Sequence, residues 1–143
     1  MQVMDMLRVD AAFGMGKWQF LDDADGELKD ADGTSLGTYS YALKDLYVGD
    51  SPQTSMALGL TLTPVKGLSV QSLLNYYDKH YSDWSPSDRE YSDGDTADRE
   101  QVWMAPSYSK LNFHINYDLP MEIAGTKMSA FVHVFNALDA IYV

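Results

Sequence analysis

The chain has no cysteine, no surplus of basic residues and no long apolar run, and each absence closes a class of protein. Without cysteine there is no disulfide framework and no thiolate metal site. The redox compartment stays open, because barrels of oxidising compartments often lack cysteine too. Ten Lys and Arg stand against twenty-one Asp and Glu, a formal net charge of −11. A nucleic-acid surface needs the opposite sign, so that partner is excluded. No segment approaches the roughly eighteen consecutive apolar residues of a membrane-crossing helix. A membrane barrel is untouched by that test, since its strands hide their hydrophobicity in alternation. The opening MQVMDMLRVD has neither the basic start nor the apolar stretch of a signal peptide. If the protein is exported, its signal is expected outside this sequence. Catalytic signatures are missing as well, with no nucleophile elbow and no Gly-rich phosphate loop. The carboxylate pairs Asp22/Asp23 and Asp93/Asp95 sit in Gly-containing loops, which supply neither the cleft nor the raised pKa of a glycosidase acid. No enzyme is expected.

What the chain does have is alternation and aromatic rings, including ten Tyr and three Trp. The clearest stretch is residues 106–119, PSYSKLNFHINYDL. Leu111, Phe113, Ile115, Tyr117 and Leu119 take every second place, and Lys110, Asn112, His114, Asn116 and Asp118 lie between them. A period of two over this length predicts a strand with two chemically opposed faces. It is also about the length a tilted strand needs to cross a bilayer. Two architectures fit it: a membrane barrel with the apolar side out, or a soluble sheet with the apolar side in.

Other stretches repeat the pattern. Leu7, Val9, Ala11 and Phe13 oppose Arg8, Asp10 and Ala12, in a strand predicted to continue through Lys17, Trp18 and Phe20. Met56, Leu58, Leu60 and Leu62 oppose Ser55, Ala57, Gly59 and Thr61. After a tight turn at 64–67, Leu68, Val70, Ser72, Leu74 and Tyr76 oppose Ser69, Gln71, Leu73, Asn75 and Tyr77. A turn around 120–125 leads to Met128, Ala130, Val132 and Val134 opposing Lys127, Ser129, Phe131 and His133. Residues 38–48 are aromatic and strand-prone but alternate poorly, and Gly49 to Pro52 mark a kink or bulge. Residues 21–37 and 82–104 are acidic and turn-rich; the first is expected to be a loop or a small hairpin rather than core, the second a loop, and both exposed. The twice-repeated Asp-Ala-Asp-Gly at 23–26 and 30–33 has the oxygen-rich look of a calcium loop. It lacks the twelve-residue spacing and terminal Glu, and reads as ordinary turn chemistry.

The expected fold is therefore all-β, an antiparallel up-and-down meander of about five strands, part of a large transmembrane β-barrel. Short turns fall at one end and long acidic loops at the other, where Trp18, Phe20, Tyr76, Tyr77, Tyr81, Trp84, Trp103 and Tyr108 crowd. Barrels of the outer membrane show such asymmetry, and soluble sandwiches have no rule requiring it.

Several pieces also resemble the C-terminal barrel region of TonB-dependent outer-membrane receptors of the Bacteroidetes type. They are VGDSPQT at 48–54, GLSVQSLLNYYDKHY at 67–81, PSYS at 106–109 and VHVFNALDAIY at 132–142. Their order and spacing cover nearly the whole chain. The resemblance implies a roughly 22-stranded barrel closed by an N-terminal plug. Such receptors take up scarce nutrients such as siderophores or carbohydrates with energy from the TonB system. Residues 1–143 then form a C-terminal part of that barrel, with the plug, most of the wall and the final strand outside it. The implied location is the cell outer membrane. The implied partners are outer-membrane lipid, the TonB system acting through the plug, and a small-molecule ligand at the extracellular loops.

Two groups of residues are candidates for function. Tyr76, Tyr77, Tyr81 and Trp84 form an aromatic cluster whose flat rings suit sugar stacking, or an interface girdle. Gln71, Asn112, His114, Asn116 and His133 are expected on the lumen side. The two histidines lack a third ligand at a suitable spacing, so no metal is expected there, and no other cofactor is indicated. His80 sits at a loop base without a partner group in view. The competing reading is a soluble β-sandwich carbohydrate-binding module with an acidic, calcium-binding loop. The two differ over whether Leu58, Leu60, Leu74, Phe113, Ile115 and Val132 meet lipid or fill a core.

Overall fold

The computed structural model describes residues 2–4, 6–92, 95–123 and 125–142. The strands are β1 (Gln2–Met4), β2 (Leu7–Met15), β3 (Ala24–Lys29), β4 (Ser35–Tyr41), β5 (Pro52–Val65), β6 (Leu68–Tyr81), β7 (Glu90–Tyr91), β8 (Met104–Ala105), β9 (Tyr108–Ile123) and β10 (Thr126–Val134). The one helical element among the described residues is a 3-10 turn at Pro86–Arg89. The protein is all-β, its pairings are antiparallel, and its sheets are open.

The main sheet runs β1-β2-β5-β6-β9-β10, with β8 paired to the far end of β6. The remaining strands form a second sheet in the order β3-β4-β7. By its contacts the chain divides into two units. One comprises Met1–Met15, Thr54–Asp78 and Pro106–Val143, and the other Gly16–Gln53 and Lys79–Ala105. In the first unit Met15 opposes Thr54 and Tyr77 opposes Tyr108, so both long excursions leave and re-enter the sheet at the same end. The short connections lie at the opposite end.

Register decides the faces. Leu7, Val9, Ala11 and Phe13 oppose Leu62, Leu60, Leu58 and Met56 across β2 and β5. Val70, Ser72 and Leu74 oppose Ile115, Phe113 and Leu111 across β6 and β9, and Val132 and Val134 oppose Ile115 and Phe113 across β9 and β10. Between β5 and β6 the parity follows from a shallow apolar groove shared by Phe13, Met56, Leu58, Leu74 and Tyr76. On the other side Gly59 approaches Leu73, and Gln71 reaches Thr61. Leu111, Phe113 and Ile115 thus share one face with Met56, Leu58 and Leu60, while Asn112, His114 and Asn116 take the other, as the alternation requires.

That apolar face is uncovered. Phe13, Met56, Leu58, Leu60, Leu62, Leu74, Ile115, Val132 and Val134 are 37 to 65 % exposed. Among the described residues of the first unit, the single buried position is Gly59, which has no side chain. The buried hydrophobic residues Ala42, Leu43, Leu46, Tyr81, Val102 and Ala105 all belong to the second unit.

Several sequence expectations are corrected. The first long strand ends at Met15 rather than running through Trp18 and Phe20, and Gln19 keeps only an isolated bridge to Tyr47. The meander of about five strands becomes six strands along the main sheet, with a second sheet besides. The poorly alternating stretch 38–48 is strand only as far as Tyr41. It then turns inward to bury Ala42, Leu43 and Leu46. Residues 21–37 hold β3 and the start of β4 as a hairpin and contain no buried residue, while the 82–104 segment contributes Val102 to the small core with Ala42, Leu43, Leu46 and Ala105. The tight turn expected at 64–67 narrows to Lys66 and Gly67, with Pro64 inside β5. Pro120 lies inside β9, where the pairing with β10 shifts register between Lys127 and Ser129. Proline has no N–H for the ladder, and an irregularity of this kind is how a sheet accommodates one.

Gly67 holds the β5–β6 connection with φ of +85°, and a Cβ there would lie 2.7 Å from the Asp118 carbonyl oxygen. Gly33, at φ +83°, has nothing within 4 Å of such a Cβ. Gly67→Ala is expected to destabilise by about 2–3 kcal/mol, from left-handed strain plus the clash, and Gly33→Ala by about 1 kcal/mol. Denaturant unfolding of the two variants checks the order, and equal losses would refute it.

Candidate functional site

The polar face of the main sheet gathers the residues expected to face a lumen. Gln71 on β6 opposes His114 on β9, which opposes His133 on β10, so the three form one row across three strands. Asn112 and Asn116 flank His114 at two-residue spacing, opposite Leu73 and Ser69. His114 and His133 are bonded to each other through their Nδ1 atoms at 2.8 Å. Asn112 uses its Oδ1 to accept the Asn136 backbone N–H at 2.9 Å. Asn136, at φ +51°, donates through its side-chain amide to the Ala140 carbonyl and accepts the Ala140 N–H. The Ala137 N–H donates to the Leu111 carbonyl at 2.7 Å. This folded segment sets Tyr142 in place over the sheet.

An aromatic group results that the sequence did not define. The Tyr108 ring stacks on Tyr142 at 5.5 Å and tilts against Tyr77 at 5.2 Å. Lys110 Nζ lies 4.4 Å from the Tyr142 ring centroid and 5.8 Å from that of Tyr77. The lysine charge rests against two phenol rings that flank Tyr108, a cation–π arrangement held within the polar face. The signal was present in part: once Tyr77 pairs with Tyr108, period two places Lys110 and Asn112 on the same side. Tyr142 was out of reach, because its position depends on the two left-handed residues Asn136 and Asp139.

The aromatic cluster expected to bind ligand is divided by the fold. Tyr76 and Tyr77 are consecutive in β6 and point to opposite faces, Tyr76 lining the apolar groove. Tyr81, in the second unit, is 8 % exposed with its ring stacked on Tyr47 at 4.3 Å. Trp84 donates its Nε1–H to the Tyr47 carbonyl at 3.2 Å and meets Phe20 edge-on at 5.5 Å. Tyr81 and Trp84 thus have their rings committed to packing within that unit, and of the four Tyr77 alone belongs to the polar-face group. His80, expected without a partner, has a buried Nδ1 lacking any hydrogen-bond partner among the described residues.

The second unit is fastened by polar contacts. Gln53, 1 % exposed, donates from Nε2 to the Trp18 carbonyl and accepts the Trp18 N–H on Oε1, closing its buried amide on backbone. Arg99 donates from Nη1 and Nη2 to Asp23 Oδ1 and Oδ2 at 2.9 and 2.6 Å, and the Lys44 N–H donates to Oδ1 at 2.9 Å. The Arg99 guanidinium, followed by that N–H, holds the Asp23 carboxyl well below the usual carboxylate range. Such a group is no proton donor at neutral pH.

The calcium-like repeat does not converge. Asp23 serves Arg99, Asp25 accepts from the Ser40 hydroxyl, and Asp30 accepts the N–H groups of Asp32 and Thr34 in the β3–β4 turn. Among the described residues no group of three or more His, Cys, Asp or Glu is arranged to hold a metal ion. Asp93, one half of the second carboxylate pair, lies outside the described residues.

No family model matches the chain, and no curated protein or solved structure matches it either.

Because the folded pKa of Asp23 is depressed, the Asp23–Arg99 pair stabilises the second unit fully above the ordinary aspartate pKa of about 3.9. That contribution fades as pH falls below this value toward the folded one. At neutral pH, Arg99→Gln is expected to speed hydrogen exchange at the Lys44 amide. The effect is modest because both side chains are partly solvated. The gap from the parent should narrow below about pH 4 and in high salt. A gap independent of pH would show that the pair is not what holds this amide.

Proposed function

We propose that this chain is part of the wall of an outer-membrane β-barrel of the TonB-dependent receptor type, working in energised nutrient uptake rather than catalysis. One observation carries the reading: the main sheet is continuous, apolar on one face and mainly polar on the other, where Leu73 and Phe131 are the apolar exceptions, and its apolar face is uncovered. Full burial of one large apolar side chain is worth roughly 1.5–3 kcal/mol. Nine half-exposed ones therefore forgo on the order of 10 kcal/mol, comparable with the whole stability of a typical domain at about 5–15 kcal/mol. Lipid removes that deficit without any further protein. A soluble sandwich would need a second sheet over this face, and no described residue of the first unit covers it.

Under this reading the short connections belong to the periplasmic side and the two long excursions to the extracellular side, where they meet ligand. Gln71, Asn112, His114, Asn116 and His133 line the lumen, with Tyr77, Tyr108, Tyr142 and Lys110 above them. The edges β1 and β10 pair with neighbouring barrel strands, since unpaired backbone groups have no place in hydrocarbon. The resemblance described above supplies the TonB partner, the plug and the outer-membrane location. The substrate is a scarce small molecule captured by the excursions.

The test is to compare residues 1–143 with the complete reading frame. The fragment alone is expected to aggregate without detergent, and the full chain to yield a heat-modifiable, detergent-stable barrel. A soluble monomer of residues 1–143 with cooperative unfolding would overturn the proposal and favour the binding-module alternative. In a lipid-embedded full chain, Ile115→Arg is expected to cost about 2–4 kcal/mol and Asn112→Arg under about 1 kcal/mol. Similar costs for both in denaturant titrations would contradict the assignment of faces.

A further inference from the structure

His114 and His133 stand directly opposite each other in the β9–β10 pair, with their Nδ1 atoms 2.8 Å apart. A neutral imidazole carries one ring proton, so in this pair one ring donates and the other accepts. Phe131 stacks against His133 at 5.2 Å, and Phe135 meets His114 edge-on at 5.7 Å. These neighbours pack against the two imidazole rings.

Converging ring nitrogens are what a chelated metal ion requires. Two imidazole nitrogens each about 2.0–2.1 Å from one ion stand roughly 2.9 Å apart when they subtend a right angle at it. The observed nitrogen spacing matches a right-angled bite; with ring centroids 4.9 Å apart the two nitrogens face each other as in a hydrogen bond, so each ring swings toward the ion on binding. A tetrahedral ion opens the angle and pushes the nitrogens to roughly 3.3 Å. Right-angled nitrogen ligation is the preference of copper(II) and nickel(II). With no cysteine in the chain, no thiolate competes for a softer ion.

We propose that His114 and His133 form a two-imidazole binding site for a divalent transition-metal ion of tetragonal preference, copper(II) or nickel(II), on the polar face of the main sheet. Both Nδ1 atoms coordinate, and the ring that had donated moves its proton through solvent to Nε2, so no net charge leaves the protein. Gln71 lies opposite His114 but points its amide nitrogen at Thr61, 3.5 Å away. No third His, Asp or Glu joins the pair among the described residues. The remaining positions on the ion are filled by water, or by donor atoms of a small molecule that arrives with it. The site is defined within one strand pair, so it does not depend on the transport reading.

The experiment is calorimetric titration of nickel chloride into the 143-residue chain in a non-chelating detergent buffer, with copper(II) electron paramagnetic resonance as a second readout. One equivalent is expected, with resonance structure from two ring nitrogens. His114→Ala and His133→Ala should each lower affinity at least about tenfold, a free-energy difference of about 1.4 kcal/mol. His114→Asn, which can still bond to His133 across the strands, should lose binding equally and guards against a folding defect. His80→Ala should bind as the parent does. Absence of binding, loss in His80→Ala as large as in the other variants, or full affinity in His114→Asn would each overturn the site.

Discussion

One side of the main sheet must be kept from water, and most of what the chain does follows from that constraint. Period two in β2, β5, β6, β9 and β10 puts most of their Leu, Val, Ile and Met on one surface, with Leu73 and Phe131 on the other, and the registers leave no strand out of phase. A slip of one residue in any strand would move its apolar set to the polar side, so the constraint fixes register as well as facing. The chain does not meet it internally. Its small core lies in the second unit, while the long strands carry their hydrophobic side chains uncovered.

The opposite face is shaped by the same alternation. Because every apolar residue is matched by one pointing the other way, Gln71, Asn112, His114 and Asn116 come into register on adjacent strands. Polar groups that look scattered in sequence become a lattice about one strand spacing apart. On that lattice a His faces a His, and a Lys reaches across to Tyr rings. The excursions have separate work: Gln53 and the Asp23–Arg99 pair fasten them into a unit of their own, leaving acidic side chains at its surface.

The strands and their faces were legible in the sequence wherever alternation was long, as in 55–62, 68–77 and 109–119. Pro120 was misread as the site of a turn, because a local rule about proline took no account of an irregularity able to absorb it. Stretch 38–48 was misread because its aromatic residues suit a strand, while Ala42, Leu43 and Leu46 answer to tertiary burial. Tyr81 and Trp84 looked like a binding surface for a similar reason, since composition does not say which ring faces are already packed. The Nδ1–Nδ1 contact of His114 and His133 was within reach of pattern reasoning as far as the pairing of the two strands. The direction of the rings was not, because rotamers follow from neighbours such as Phe131 and Phe135.

Which solvent meets the apolar face is the central claim, and the absence of cysteine makes it directly measurable. Single cysteines at positions 113 and 112 in the lipid-reconstituted protein, with any cysteine outside residues 1–143 replaced, each carrying an environment-sensitive fluorophore, report on the two faces of β9. The account predicts that brominated lipid quenches the label at 113 and spares the one at 112, while aqueous iodide does the reverse. A label at 113 shielded from both quenchers would place that face in a protein core and contradict it.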